Sequence, residues 1–164
     1  MTLGLGALAA CSGPSASISK PRAAGTNVRF AHVEWTTASH AAVWAVWTDV
    51  RGWSRWDTGL RSARVRAPLS LGTRGRLIPK RGVPSRFEIT AWVPEERYAF
   101  TTSLPGAALV VERSFVDDDD ATAFKHEVHF VGPRAQRWSE RLGPQFRVDL
   151  PEAMRRVAAL AELG

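Results

Sequence analysis

Apolar residues recur at helical spacing in two stretches of the chain, and each stretch predicts a helix. The first stretch follows an alternating segment, 30–35, that predicts a strand, and Thr37 or Ser39 provides the N-cap of the helix. The helix ends at Arg51-Gly52, and residues 53–57 predict a turn or a second short helix. Its apolar face consists of Val43, Val46, Trp47 and Val50.

The C-terminal stretch predicts a longer amphipathic helix. Gly143-Pro144 predicts a break before its main part. Pro151 either kinks this helix or starts it, and in the second case Asp149 is the cap. The apolar face consists of Phe146, Leu150, Ala153, Val157 and Leu160.

Between the two helices, from residue 60 to residue 131, the pattern changes to the period of two that is typical of strands. Turns containing Gly, Pro or acidic residues interrupt it at short intervals. The segments predict six strands, at 61–66, 73–78, 86–93, 97–104, 107–116 and 121–131. Short connections favour antiparallel pairing. With the first strand they predict an α+β domain, with a sheet of about seven antiparallel strands, two short helices after strand 1 and a long C-terminal helix.

Composition adds two facts to this fold. Seven Trp residues against one Tyr predict an interior built from large flat rings. The net charge is +6, but nucleic-acid-binding proteins concentrate basic charge on one face. We therefore favour a solvated, mildly basic sheet edge over a phosphate-binding patch, and we predict no nucleic-acid partner. The residues that come nearest to a basic cluster are Arg61, Arg64, Arg66, Arg74, Arg76, Lys80 and Arg81.

Metal-binding and nucleophile motifs are missing from the sequence. Cys11 is the single cysteine, which excludes a disulfide within the chain and a Cys-based metal site. None of the four His residues forms a paired-His zinc motif. The acidic run 117–120 favours a hairpin tip, because an EF-hand-type calcium loop needs spaced ligands and a Gly. We predict neither a metal nor a cofactor.

Residues 1–28 differ from the rest, since they contain no acid and no aromatic residue. Leu8-Ala9-Ala10-Cys11 resembles a lipoprotein lipobox, and the Ser-, Ala-, Gly- and Pro-rich residues after it are typical of a flexible tether. Met1-Thr2 supplies no basic side chain, which a signal peptide needs. The segment is therefore a lipoprotein-like signal and tether or a wrongly assigned start. The protein is cytoplasmic or, alternatively, lipid-anchored outside the cytoplasmic membrane through Cys11, and no stretch approaches the ~20 apolar residues of a membrane span.

Four segments resemble the SRPBCC superfamily of START-like, polyketide cyclase/dehydrase and Bet v 1-like domains. Residues 39–57 resemble its opening motif of a Val-Trp helix followed by Asp-Val and two Trp residues three apart. Residues 72–75 match its Gly-x-x-Gly strand start, 124–128 its last strand and 150–160 its closing helix. The resemblance covers 29–164. In the opening motif the matching residues are Val43, Trp44, Asp49, Val50, Trp53, Trp56 and Asp57.

This resemblance implies a helix-grip fold, in which the C-terminal helix lies across a curved sheet and a ligand cavity separates the two. Inward-facing residues of the sheet and helix then contact the ligand, although plain core packing is the alternative for each of them. The candidate ligand-binding residues are Trp53, Trp56, Phe87, Ile89, Val111, Arg113, Phe124, His126, Phe146, Leu150 and Met154.

Two of these candidates carry polar chemistry. His126 is the one ionisable residue that the alternation places on an apolar face, so it anchors a ligand oxygen, acts as an acid/base, or is a hydrogen-bonded core residue. Arg113 shares its strand face with Val111 and Phe115. It neutralises a ligand carboxylate if that face points inward, and the solvent face is an equal alternative.

The leading hypothesis is binding of a polyketide-, lipid- or sterol-like molecule in a carrier or sensor role. The alternative is a cyclase/dehydratase-type enzyme in which His126 acts with a second polar group such as Arg113 or Thr101. A third hypothesis is a collapsed cavity and a protein partner. We also predict that Trp53 or Trp56 caps the cavity while the other packs under the first helix; the alternative is that both only hold the corner.

Overall fold

The computed structural model of the protein describes residues 28–164. The predicted N-terminal tether and the possible lipid anchor at Cys11 lie outside the described residues. The elements in chain order are β1 (Arg29–Thr36), α1 (His40–Thr48), a 3₁₀ helix (Val50–Arg55), β2 (Leu60–Val65), β3 (Arg74–Pro79), β4 (Ser85–Val93), β5 (Arg97–Leu104), β6 (Ala107–Val116), β7 (Thr122–Val131) and α2 (Ala135–Glu162).

The seven strands form one antiparallel sheet in the order β1-β7-β6-β5-β4-β3-β2. From β2 to β7 each strand pairs with the next one along the chain, and β1 closes the order by pairing with β7. Helix α2 packs against β1, β7 and the first helix. The predicted α+β helix-grip fold is confirmed, with two strands at the edges, β1 and β2.

The corner after β1 positions two of the candidate residues. Ser39 caps α1, as its hydroxyl accepts a hydrogen bond from the Ala42 N–H at 3.2 Å. The chain then tightens into the 3₁₀ helix, which contains Trp53. Trp56 is the C-cap of this helix, and its N–H donates to the Trp53 carbonyl at 3.2 Å. Both indoles therefore leave the same short turn and enter the space under the sheet.

The break predicted at Gly143-Pro144 is absent from helix α2. This helix runs without interruption through Pro144 and Pro151, so Asp149 lies inside the helix and is not its cap. Gly143 is buried where the ring of Phe30 lies against the helix, and a Cβ there would collide with that ring. The glycine thus serves close packing on β1. The helix accommodates both prolines, although each costs about 3 kcal/mol in a helix interior.

Large rings fill the interior, as the Trp count predicts. Trp47, Trp53, Phe124 and Met154 are 0% exposed, and Trp56 is 1% exposed. Gly75 of the matched Gly-x-x-Gly segment also serves packing, because the ring of Phe87 occupies the place of its missing side chain. Among residues 28–164, no helix is long and apolar enough to cross a membrane.

Candidate functional site

A buried arginine lies at the centre of the sheet's concave face. Arg113 on β6 is directly opposite His126 on β7 in the antiparallel register. Its side chain is only 1% exposed. The strand face that carries Arg113 therefore points inward and not to solvent. Arg113 and His126 lie side by side beneath the helices.

Aromatic rings surround the guanidinium group. Its central carbon lies 4.5 Å from the Trp53 ring centre and 4.7 Å from the Trp56 ring centre, which are cation–π distances. The guanidinium also donates a hydrogen bond to the Tyr98 hydroxyl. That hydroxyl in turn donates to the Trp47 carbonyl at 2.7 Å. We call Trp53, Trp56, Tyr98, Arg113 and His126 the arginine cluster.

Arg113 lacks the ionic partner that a buried charge normally has. Within residues 28–164 no carboxylate oxygen lies within 4.0 Å of its guanidinium nitrogens. Its Nε atom is fully buried and has no hydrogen-bond partner. Within the described residues, the direct contacts of the positive charge are thus π faces and one hydroxyl group.

His126 is a neutral imidazole in this setting. Burial, with a smaller contribution from the adjacent Arg113 charge, holds the pKa of His126 well below its ordinary value. Its Nδ1 atom is buried without a partner. The Trp56 ring meets the imidazole edge-on, with 6.3 Å between the ring centres. A neutral imidazole with a free nitrogen is able to hydrogen-bond to a ligand or to take a proton from it.

Asp57 follows Trp56, and its carboxylate interacts electrostatically with Arg113. Burial raises the pKa of Asp57, and the Gly59 N–H and the Arg113 charge oppose that rise. Its Oδ1 atom accepts the Gly59 N–H at 3.0 Å. This oxygen fixes the turn before β2. The Asp57 carboxylate interacts with the Arg113 charge at a distance and forms no ion pair with it.

Three polar atoms of the cluster are unpaired. Besides Arg113 Nε and His126 Nδ1, the indole Nε1 of Trp56 is buried without a partner. Trp53 differs, since its Nε1 donates to the Trp47 carbonyl at 2.8 Å. The Arg113 Nε and Trp56 Nε1 atoms are N–H donors, and a ligand oxygen is an acceptor that such donors can bind.

The other candidate residues lie in two places. Phe146 and Leu150 line a separate pocket of about 190 Å³ beside Arg29 and Phe30 at the β1 edge. The remaining five are part of the packed core next to the arginine cluster and are at most 6% exposed: Phe87, Ile89, Val111, Phe124 and Met154. The structure therefore brings Trp53, Trp56, Arg113 and His126 together and separates Phe146 and Leu150 from them.

Sequence reasoning missed Tyr98 and Asp57 and suggested Thr101 in error. Thr101 is on the outer face, where its hydroxyl lies 3.1 Å from that of Thr90. Tyr98 is the single tyrosine of the chain. It lies two residues before the buried Phe100 on β5, so the two side chains share a strand face. That shared face was the available signal for an inward hydroxyl.

A groove on the helical side of the domain shares one residue with the arginine cluster. A groove of about 450 Å³ lies between α1, the 3₁₀ helix and the last turns of α2, and Trp56 is among the residues that line it. The indole of Trp56 also lies against the Arg113 guanidinium. Trp56 is thus a residue of both the groove and the arginine cluster, while Trp53 is fixed to α1 by its hydrogen bond.

Solved structures resemble this fold closely. The di-domain ARO/CYC StfQ from the steffimycin biosynthetic pathway superposes with a TM-score of 0.68 at 8% identity, over 83% of this chain and 51% of that one. DynU16 from the dynemicin biosynthetic locus gives 0.62 at 19% identity, over 82% and 47%. MLL2253 from Mesorhizobium loti gives 0.65 at 14% identity, over 82% and 97%. The chain spans about half the length of StfQ and DynU16, and these identities show the fold alone.

The fold and the enclosed cluster define a helix-grip domain of the SRPBCC superfamily, as its sequence motifs predict. The chain belongs to the polyketide cyclase / dehydrase and lipid transport family, whose model matches residues 22–162. A comparison with curated proteins finds no match. The family is one of hydrophobic ligand-binding domains and polyketide cyclases, and it leaves the ligand of this member open.

Proposed function

We propose that this domain binds an apolar small molecule through an acidic oxygen, which Arg113 holds in the grip between the sheet and α2. The observation that carries the proposal is a fully buried guanidinium without a carboxylate partner among residues 28–164. Burying an ion costs several kcal/mol even in real proteins, so such a charge is retained where something uses it. A bound anion would supply the missing partner.

The surroundings of Arg113 specify the rest of the ligand. Trp53, Trp56 and Phe100 present ring faces around the guanidinium, and Phe87 extends the aromatic wall next to Trp53 with 5.5 Å between ring centres. These faces match an aliphatic chain or a flat aromatic body. The unpaired Nε1 of Trp56 provides a second donor for the ligand oxygen.

Ligand entry requires movement, because the cluster is closed. Trp56 is the side chain to move: its indole nitrogen makes no hydrogen bond, and its ring borders the groove beside α1 and the end of α2. Rotation of this indole toward the groove would join the groove to Arg113 and His126. The gate predicted for one of the two tryptophans is therefore assigned to Trp56.

Matched pairs of ligands test the proposal. We would titrate the full chain with dodecanoic acid and its methyl ester, and with 2-naphthoic acid and its methyl ester, following calorimetry and tryptophan fluorescence. A charge-assisted hydrogen bond contributes about 1.5–3 kcal/mol, so at least one acid should bind roughly 10- to 100-fold more tightly than its ester. In Arg113→Met the acid and the ester should bind equally. If neither acid exceeds its ester in the wild type, the proposal is wrong.

A second candidate function rests on the neutral His126. The free Nδ1 of His126 is available to take a proton from the carbon next to a ligand carbonyl. Burial and the Arg113 charge weaken this imidazole as a base, so the proton transfer would depend on the negative charge that forms beside Arg113 at the same time. The electron pair would move to the carbonyl oxygen, where Arg113 stabilises the enolate, as a cyclase or dehydratase requires. Hydrogen–deuterium exchange at that carbon of a bound methyl ketone, followed by NMR, would slow in His126→Gln. Equal exchange rates in the two proteins would exclude this role.

A further inference from the structure

The strand register places three arginines directly opposite one another on the outer face of the sheet. Arg64 on β2 pairs with Arg76 on β3, and Arg76 pairs with Arg86 on β4. Adjacent strands lie about 4.8 Å apart, so the three Cα atoms form a line of roughly 10 Å. All three side chains are exposed, whereas the alternating residues Ala63 and Phe87 are buried. We call these three residues the arginine row.

Several charges elsewhere on this face form ion pairs, and those of the arginine row do not. Arg74 lies 2.8 Å from Glu88, and Arg29 and Lys125 both pair with Glu127. No carboxylate of residues 28–164 lies within 4.0 Å of a guanidinium nitrogen of the arginine row. Like charges directly opposite each other across strands destabilise a sheet. The row therefore keeps an unfavourable arrangement that an external anion would relieve.

The surrounding segment makes the surface strongly basic. Residues 60–90 contain eight basic residues and one acid, a net charge of +7, which exceeds the +6 of the whole chain. The sequence alone favoured a solvated edge, because spacing along the chain does not reveal which arginines stand opposite each other. The eight basic residues are Arg61, Arg64, Arg66, Arg74, Arg76, Lys80, Arg81 and Arg86.

Exposed aliphatic side chains flank the row at both ends of the strands. Val83, in the turn between β3 and β4, is 82% exposed, and Leu71, in the loop between β2 and β3, is 67% exposed. Nucleic-acid surfaces use exposed aromatic rings for stacking. Among residues 28–164, the large exposed side chains include one aromatic, Trp35, which lies on β1 at the opposite edge of the sheet. Cations bordered by aliphatic side chains favour a lipid surface.

We propose that the arginine row, with Leu71 and Val83, docks this domain on an anionic phospholipid bilayer. The guanidinium groups contact lipid phosphates, which Arg binds with bidentate geometry. Leu71 and Val83 enter the headgroup region on either side. This interaction goes beyond ligand binding, and it uses a face of the sheet opposite to the arginine cluster.

Vesicle co-sedimentation of the full chain tests the docking surface. The probes are vesicles of phosphatidylcholine alone and of phosphatidylcholine mixed with phosphatidylglycerol. We expect binding to the anionic vesicles only, weakening as salt is added. A triple substitution of the row to Gln should weaken this binding on the order of 100-fold, because each basic side chain near an anionic membrane contributes a roughly equal share. Leu71→Ser with Val83→Ser should weaken the binding that remains at high salt.

A matched control removes the same charge elsewhere. Arg97, Arg137 and Arg155 are exposed and dispersed over β5 and α2, and changing all three to Gln should leave most of the vesicle binding intact. Equal losses in the two triple variants, or no wild-type binding to anionic vesicles, would overturn the proposal. So would binding to a duplex or single-stranded oligonucleotide that depends on the row while vesicles are not bound. Far-UV circular dichroism of both variants verifies that they are folded.

Discussion

Replacing the buried arginine by a residue of similar length and no charge is the sharpest prediction of this structure. Arg113→Met removes one charged hydrogen bond to Tyr98, of about 1.5–3 kcal/mol, and cation–π contacts of about 0.5–2 kcal/mol with the rings around it. It also removes a burial penalty of several kcal/mol. Tyr98 keeps its hydrogen bond to the Trp47 carbonyl, so the substitution leaves that hydroxyl paired.

These terms nearly cancel, and apolar replacements of buried ions are often neutral or stabilising by about 1–4 kcal/mol. We therefore expect the free energy of unfolding of Arg113→Met without ligand to lie between a loss of about 1 kcal/mol and a gain of a few kcal/mol, while binding of the acid is lost. Urea denaturation followed by circular dichroism measures this, with the exposed Arg97→Met as control. A loss of more than about 3 kcal/mol at an unchanged m-value would mean that Arg113 is structural and would refute the reasoning.

Three further predictions concern the groups around the cluster and α2. His126 stays neutral in the folded protein and takes up a proton when the protein unfolds. The free energy of unfolding is therefore unaffected by His126 above the ordinary histidine pKa and falls by up to about 1.4 kcal/mol per pH unit below it. His126→Gln should flatten this slope in urea titrations at pH 5 to 7. Trp53→Ala and Trp56→Ala should each cost about 3–5 kcal/mol of unfolding free energy, because both indoles are buried. Trp56→Ala alone should also accelerate ligand association in stopped-flow fluorescence, and an unchanged rate would remove the gate. Gly143→Ala should destabilise the domain by about 1–3 kcal/mol, although alanine favours helices, because the added methyl group meets the Phe30 ring; a stabilised variant would contradict this packing.

The fold was predictable because local chemistry and global packing agree along most of the chain. Alternation set the six strands β2 to β7 within one residue of their observed ends, and Ser39 marked the start of α1. The break at Gly143-Pro144 was wrong because propensity is a local property. The need of Phe30 for a helix position without a side chain arises only when α2 meets β1.

The site was predictable only in part, since the decisive information is which side chains meet across strands. β6 is apolar on both faces, so its alternation left the direction of Arg113 undecided until its pairing with His126 was known. Tyr98 enters the cluster from β5 through the Trp47 carbonyl, a contact 51 residues distant in sequence. The arginine row depends on the same kind of information, because register is set by pairing and turn geometry.

Native mass spectrometry of the purified full chain tests the central claim most directly. If Arg113 holds the acidic oxygen of an apolar ligand, the wild-type protein should carry a co-purified small molecule that, once released, ionises as an acid. Arg113→Met, purified in the same way, should carry none of it. The account would be contradicted if both proteins carried the same neutral molecule, or if the wild type carried nothing and preferred no acid to its ester.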